Sequence, residues 1–281
     1  MAPWLVGLIG LVIGPMIASI ALSLTSWDQV TSPKFVGIGN FQKLFKDDLF
    51  RIALGNTAFY TFIAVPLQLI VALLAALALN VKMKFLNYYR TMLYLPSVTP
   101  SVPFALLWTW IFNPDFGLAN QVLSWFGIPP SLWIWDPDMA KPSFILMNLW
   151  TVGPIMVIFL AGLQSVPESL QEAASIDGAG PWQRFRHITI PMLSPVIFFN
   201  LIIGIIGSFQ IFNSAYIMTQ GGPGNATLFY VLYLYRMAWE NLKMGYAAAL
   251  AWVLFVVVLL FTLLQLSLAR RWVFYEAELK A

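Results

Sequence analysis

The residue types that carry covalent chemistry are almost missing from this sequence. Cysteine is absent and His187 is the sole histidine, which removes thiolate nucleophiles, disulfides and His-pair metal motifs. No G-x-x-x-x-G-K-[ST] string occurs, so the chain has no loop of its own to cradle ATP. No catalytic, cofactor-binding or metal-binding set emerges. What remains is a group of neutral polar residues inside apolar segments: Ser97, Thr99 and Ser101, then Asn148, Trp150 and Thr151, then Ser208, Gln210, Asn213 and Ser214. Hydroxyls and amides can bond a polyhydroxylated cargo, and an indole can stack on the apolar face of a sugar ring. At helical spacing Asn148 and Thr151 share a face, as do Gln210 and Ser214. Pro96, Pro100 and Pro103 interrupt the ladder around the first group, and Gly153-Pro154 disturbs it after Asn148. Such interrupted helices belong beside a cavity rather than lipid. The same residues also have a purely structural use, because Ser and Thr bond their own helix's carbonyls and Asn and Gln bridge helices.

The elements that must position these residues are transmembrane helices. The chain has 281 residues, of which 60% are hydrophobic and only 10% charged, and its mean hydropathy is +0.78. Soluble domains carry about a quarter charged residues, so lipid is the solvent that fits this composition. Twelve Trp and ten Tyr suit the two membrane interfaces. A span needs about 20 apolar residues. Six segments qualify, 3–26, 57–80, 91–112, 143–164, 192–218 and 246–269, and none contains Asp, Glu, Lys or Arg. The predicted fold is therefore an all-α integral membrane protein with six transmembrane helices in a single domain over residues 1–281. Residues 39–52 read as a surface helix capped by Asn40, with Phe41, Leu44, Phe45 and Leu49 on one face. Residues 226–240 read as an aromatic segment along the outer interface, and the alternative for both segments is simple packing against the bundle.

Orientation follows from Lys and Arg. The link from Val81 to Arg90 holds Lys82, Lys84 and Arg90 with no acid, and Arg270-Arg271 follow the last span; both read as cytoplasmic. The 113–142 link holds Asp115, Asp136 and Asp138 against Lys141 and reads as external. Both termini and residues 165–190 then lie inside, while 27–56, with four cations, must lie outside. No basic n-region precedes the first apolar run, so a cleaved signal peptide is not expected. The net charge of +3 is scattered, with no basic stripe for nucleic acid.

The most informative stretch is SVPESLQEAASIDGAGPWQRFRHITIPMLSP, Ser165 to Pro195, a polar island between two spans. Pro167 can open a helix at its first turn, Leu170, Ala173, Ala174 and Ile176 give it an apolar face, and Gly178 and Gly180-Pro181 end it. Trp182 to Ile188 reads as a second helical piece leading to Pro191. A short helical hairpin at a membrane surface can dock into a groove on a soluble partner. Here the residues resemble a known family. Glu172-Ala173-Ala174, Gly178, and Ile188-x-Ile190-Pro191 follow the EAA-loop spacing of permeases in binding-protein-dependent ABC importers, with Ile190 where Leu is usual. The longer string is similar to the carbohydrate-uptake branch. Phe35-Val36-Gly37-Ile38-Gly39-Asn40-Phe41, Asn56-Thr57, Leu95-Pro96 and Thr219-Gln220-Gly221-Gly222-Pro223 extend the resemblance over the whole chain. The last of these resembles the large-subunit type of the maltose permeases.

The resemblance implies a multi-pass protein of a prokaryotic cytoplasmic membrane, paired with a homologous second permease, two ATP-binding subunits and an extracytoplasmic sugar-binding protein. It implies an ATPase-coupling role for Glu172, Ala173, Ala174, Asp177, Gly178, Ile188 and Pro191. Glu172 would pair with a cation of the ATPase, and Gly178 would let its backbone approach closely. It also places sugar contacts at Ser97, Ser101, Asn148, Thr151, Ser208 and Ile211, beside Gln210; Trp150 and Asn213 join from the reading of the residues themselves. Ser97 stands where the family example has an aromatic residue, which points away from maltose. Three rival readings stay open. A permease for another solute, such as glycerol 3-phosphate, should recruit Arg or Lys to its cavity, and no span offers one. A secondary transporter would need an intramembrane ionisable group or inverted repeats. A membrane-embedded enzyme would need His, Cys or paired carboxylates.

Overall fold

The computed structural model describes residues 2–81 and 84–274. Lys82, one of the cations of the basic link, lies outside the described residues. In chain order the helices are α1 (Pro3–Ser23), α2 (Gly39–Phe45), α3 (Asp48–Ala78), α4 (Leu86–Tyr94), α5 (Ser101–Ile111), α6 (Leu118–Trp125), α7 (Pro137–Leu149) and α8 (Gly153–Gln164). They continue with α9 (Glu168–Ile176), α10 (Ile190–Ser208), α11 (Asn213–Met218), α12 (Tyr230–Tyr235) and α13 (Met244–Ala269). A two-residue antiparallel pair, Thr25–Ser26 with Lys34–Phe35, closes the loop after α1.

Among the described residues, four helical runs are each long and apolar enough to cross a bilayer: α1, α3, Pro181–Met218 (interrupted at 209–212) and α13. The pair α7 and α8 makes a fifth span bent by 50°. The sixth apolar segment, 91–112, arrives in pieces, because α4 passes into a single 3-10 turn at Leu95–Val98 and α5 restarts at Ser101. Six apolar segments are present, but six unbroken helices are not. The cause of the third break is local. Thr99 and Pro100 are extended (ψ 126° and 149°), as the residue before a proline tends to be. Pro103 then sits in the first turn of α5, where a missing N–H costs nothing. At the α7–α8 bend, a Cβ added to Gly153 would lie 2.6 Å from the Leu93 carbonyl oxygen and from Tyr94 Cα. Only glycine lets these two broken spans meet at their breaks.

The fifth segment also differs from the expected 192–218 helix. Its stem begins at Pro181, runs through a π turn at Phe185–Thr189 and continues unbroken past Pro191 into α10, which ends at Ser208. Residues 209–212 are non-helical before α11.

Helix α3 is the spine. Ala53, Thr57, Thr61, Ala64, Ala72 and Ala76 are fully buried at near-helical spacing, and small residues let backbones approach closely in lipid. Its first half packs with Phe144, Phe229, Tyr230 and Leu250, and its second half with Met156, Phe159, Leu193 and Phe209. Helix α13 packs along α1.

The expected surface helix over 39–52 divides at Lys46–Asp47. Asn40 is not a cap. It is buried inside α2, and its amide donates to the Ser23 and Thr25 carbonyls at 2.8 Å each. The cap belongs to Asp47, which accepts from the Leu49 and Phe50 amides at 3.0 and 3.4 Å and so begins α3 nine residues before the predicted span. Its other oxygen accepts from Tyr246 at 2.6 Å and from Tyr233, tying α3 to α12 and α13. Burial pushes the Asp47 pKa up, but the hydrogen bonds from Tyr233, Tyr246 and the two amides outweigh it and hold the carboxyl below its ordinary value.

Candidate docking loop and translocation-path cavity

The docking candidate is α9. Pro167 precedes it as an extended N-cap rather than occupying its first turn. At the other end Gly178 takes φ +82°, and two bonds close the helix: Ala179 N to the Ala174 carbonyl at 2.9 Å and Gly178 N to Ser175 at 3.1 Å. That is the Schellman arrangement, which satisfies orphan carbonyls and needs a left-handed residue. Gln171 Nε2 donates to Thr189 Oγ1 at 3.2 Å and ties α9 to the stem of α10. Gly180 N donates to Gln183 Oε1 at 2.7 Å and opens that stem.

The helix presents what a docking element needs. Glu172, Ala173 and Asp177 are exposed, and Ile176 is 87% and Trp182 68% exposed. Among the described residues Glu172 makes no ion pair. Ala174, Asp177, Gly178 and Ile188 line a cup of about 460 Å³ between α9 and the stem, together with Arg184 and His187. Glu172, Ala173 and Pro191 do not line it; Pro191 is half-buried at the base of α10.

The path candidate is a cavity of about 300 Å³ between α3, α5, the α7–α8 bend and the α10–α11 break. Of the predicted residues, Asn148, Thr151, Ser208, Ile211 and Ser214 line it. Among the described residues, no Asp, Glu, Lys or Arg does. Thr151 Oγ1 lies 2.9 Å from the Asn148 carbonyl, and Gln68 Nε2 lies 3.4 and 3.5 Å from that carbonyl and from Thr151 Oγ1. The Asn148 side-chain amide has no hydrogen-bond partner among the described residues. Ser208 Oγ lies 2.9 Å from buried Thr61 Oγ1 and 3.0 Å from the Ile205 carbonyl.

The other candidates are not part of this cavity. Ser97 donates to the Tyr94 carbonyl at 2.6 Å inside the 3-10 turn. Ser101 accepts from Asn213 Nδ2 at 3.0 Å, both exposed, which ties α5 to α11. Trp150 is 55% exposed and meets Trp108 edge to face at 5.8 Å. Gln210 is exposed in the non-helical break, so the helical face it was expected to share with Ser214 does not exist. Sequence reasoning missed Tyr60, Gln68 and Phe104 as lining residues. The signal for Gln68 was present, an amide in the middle of an uncharged span.

The motif residues Asn56 and Thr57 act as anchors. Asn56 Nδ2 donates to the Asn225 carbonyl at 2.8 Å while its oxygen accepts from Lys141 Nζ at 3.1 Å, and Thr57 Oγ1 accepts from Tyr230 N at 2.8 Å. They hold the G-G-P turn, with its cis Gly222-Pro223 bond, against α3.

Comparison with known proteins agrees with this architecture. The family model described as a binding-protein-dependent transport system inner membrane component matches residues 68–273. The probable ABC transporter permease protein YesP of Bacillus subtilis (strain 168) is 43% identical over 99% of this chain and 91% of its own length. The lactose transport system permease protein LacF of Rhizobium radiobacter is 38% identical, covering 91% of this chain and 88% of its own. A chain in the crystal structure of a bacterial alginate ABC transporter, in complex with an alginate pentasaccharide-bound periplasmic protein, superposes with a TM-score of 0.84 at 25% identity over 96% of this chain and 92% of that one. The helical membrane architecture, the whole-length relatives and the matched family model lead to one conclusion: this chain is a multi-pass membrane protein that belongs to the family of inner membrane components of binding-protein-dependent transport systems, the ABC transporter permeases.

Proposed function

We propose that the chain forms half of the translocation pathway of an ATP-driven sugar importer and receives the power stroke through α9. It works beside a homologous second permease, two ATP-binding subunits on the cytoplasmic side and an extracytoplasmic binding protein, with both termini in the cytoplasm. One observation carries the reading: a short capped helix, tethered to the stem of a spanning helix, leaves Glu172 and Ile176 exposed. Movement of that helix is transmitted through the stem to α10, whose far end reaches the path cavity at Ser208.

The cargo is a sugar because the cavity offers neutral amides, hydroxyls and aromatic rings and, among the described residues, no charge. The lactose and arabinooligosaccharide permeases among the relatives support that class. Asn148 recognises a cargo hydroxyl, Thr151 and Gln68 set its register, and Ser208 fixes the α10 wall. Glu172, Ala173, Ala174, Asp177 and Gly178 couple to the ATPase, with Ile188 and Pro191 in the stem. Proteoliposomes holding the assembled permeases and ATPases, given binding protein outside, should accumulate sugar only with ATP on the α9 side. Uptake without ATP, or ATP hydrolysis by the isolated chain, would refute this.

A further inference from the structure

A further cavity is neither the cup nor the path. It measures about 1000 Å³ and lies where the end of α3, the start of α4, the end of α8 and the first turn of α9 converge. Among the described residues, two cations, Lys84 and Arg90, line it with one carboxylate, Glu168, leaving an excess positive charge. Arg90 donates through Nη2 to the Leu79 carbonyl at 3.3 Å, but its Nε is buried without a partner among the described residues. Neither cation makes an ion pair among those residues. The lining also carries apolar side chains, Leu77, Leu86, Leu163 and Val166, beside the neutral polar Asn80, Gln164, Gln171 and Thr189.

Its level in the membrane follows from the helices around it. Spans α3 and α8 both end at this cavity, which puts it at the headgroup level of the leaflet on the α9 side. Beside it Phe85, Tyr88 and Tyr89 are 76%, 62% and 44% exposed, and α4 buries none of its residues. Aromatic rings so placed mark a membrane interface, and basic pockets between helix ends on such a face hold anionic headgroups. We propose that this cavity holds the phosphate of an anionic phospholipid, with Lys84 and Arg90 as its cations and the apolar side chains against the glycerol and first acyl carbons. A free phosphate would leave those apolar side chains against water. The occupied site would abut Glu168 and Gln171 in the first turn of α9, so headgroup charge would bear on the docking helix. The site stands on its own residues and does not depend on the identity of the cargo.

Native mass spectrometry of the full chain released from detergent tests the proposal, with phosphatidylglycerol, phosphatidylethanolamine and inorganic phosphate as probes. The chain should retain phosphatidylglycerol in preference to phosphatidylethanolamine, and millimolar inorganic phosphate should not displace it. Each basic residue removed should weaken retention about fivefold, and Lys84→Gln with Arg90→Gln about thirtyfold. Lys84→Gln alone keeps the test open if loss of the Arg90 bond to Leu79 harms folding. Equal retention of the two lipids, retention unchanged in the variants, or displacement by inorganic phosphate overturns the proposal.

Discussion

Replacing Gly178 separates two reasons for its presence. Its φ of +82° is a left-handed conformation, and a Cβ built on it would meet nothing within 4 Å. The cost of Gly178→Ala within this chain is therefore conformational, not steric. An L-residue with a Cβ in that region costs about 1–2 kcal/mol. If α9 must keep its Schellman end in order to dock, that cost lowers the docked population about 5- to 30-fold. Asn tolerates the left-handed region, so Gly178→Asn should recover most of the loss despite its larger side chain. The assay is ATP-dependent uptake by the assembled importer, read beside the amount of ATPase that copurifies with it. If Gly178→Asn fails as badly as Gly178→Ala, the partner's surface needs the empty space and the conformational argument is wrong. If Gly178→Ala is normal, the helix end does not matter.

Three other outcomes follow from the geometry. Asp47→Ala removes a cap worth about 1 kcal/mol and leaves two tyrosine hydroxyls without their acceptor, about 1 kcal/mol each. Unfolding followed by tryptophan fluorescence should move down by roughly 5–10 °C, and an unchanged midpoint would refute the anchor. Because the folded Asp47 pKa is lowered from 3.8, its contribution is fully present above that value and is lost as pH falls through the lowered folded pKa, a loss the Ala variant should not show. Asn148→Ala should leave stability nearly unchanged, because its amide bonds nothing in the chain among the described residues, while KM for uptake rises about 2- to 12-fold, the worth of one hydrogen bond to a sugar hydroxyl. Unaltered KM would remove Asn148 from the path. In this naturally cysteine-free chain, Ser175→Cys should be labelled from the cytoplasm and Asp136→Cys from outside; the reverse would invert the topology.

The sequence made the apolar segments legible because lipid enforces long uncharged runs, and it made the α9 hairpin legible because Gly178 and Pro181 punctuate it locally. It was less informative where tertiary contacts decide. Asp47 and Asn40 are both good caps by type. The choice between them depends on Tyr233 and Tyr246, about 190 residues away, and on the carbonyls of Ser23 and Thr25. Trp182 to Ile188 reads in the sequence as a separate helical piece leading to Pro191, but a π turn carries it without a break into α10, where Pro191 sits in the first turn. Gln210 was expected on a helix face that ends two residues earlier, since no Pro or charge marks the break at residues 209–212. The cavity drew Gln68 from a different span because α3 runs through the centre of the molecule, a fact of packing rather than of local pattern.

The central claim is that α9 couples this chain to an ATPase through Glu172. Glu172→Lys tests it most directly, with uptake and ATPase copurification measured on the same preparations. The carboxylate lies exposed on α9, and in the proposed docked state it would become part of a desolvated pair. Removing one partner of such a pair costs about 3–5 kcal/mol, and the new like charge adds repulsion. The account predicts a coupling loss of more than a hundredfold, with the chain still inserted in the membrane. Normal uptake by Glu172→Lys with the ATPase still attached would contradict it.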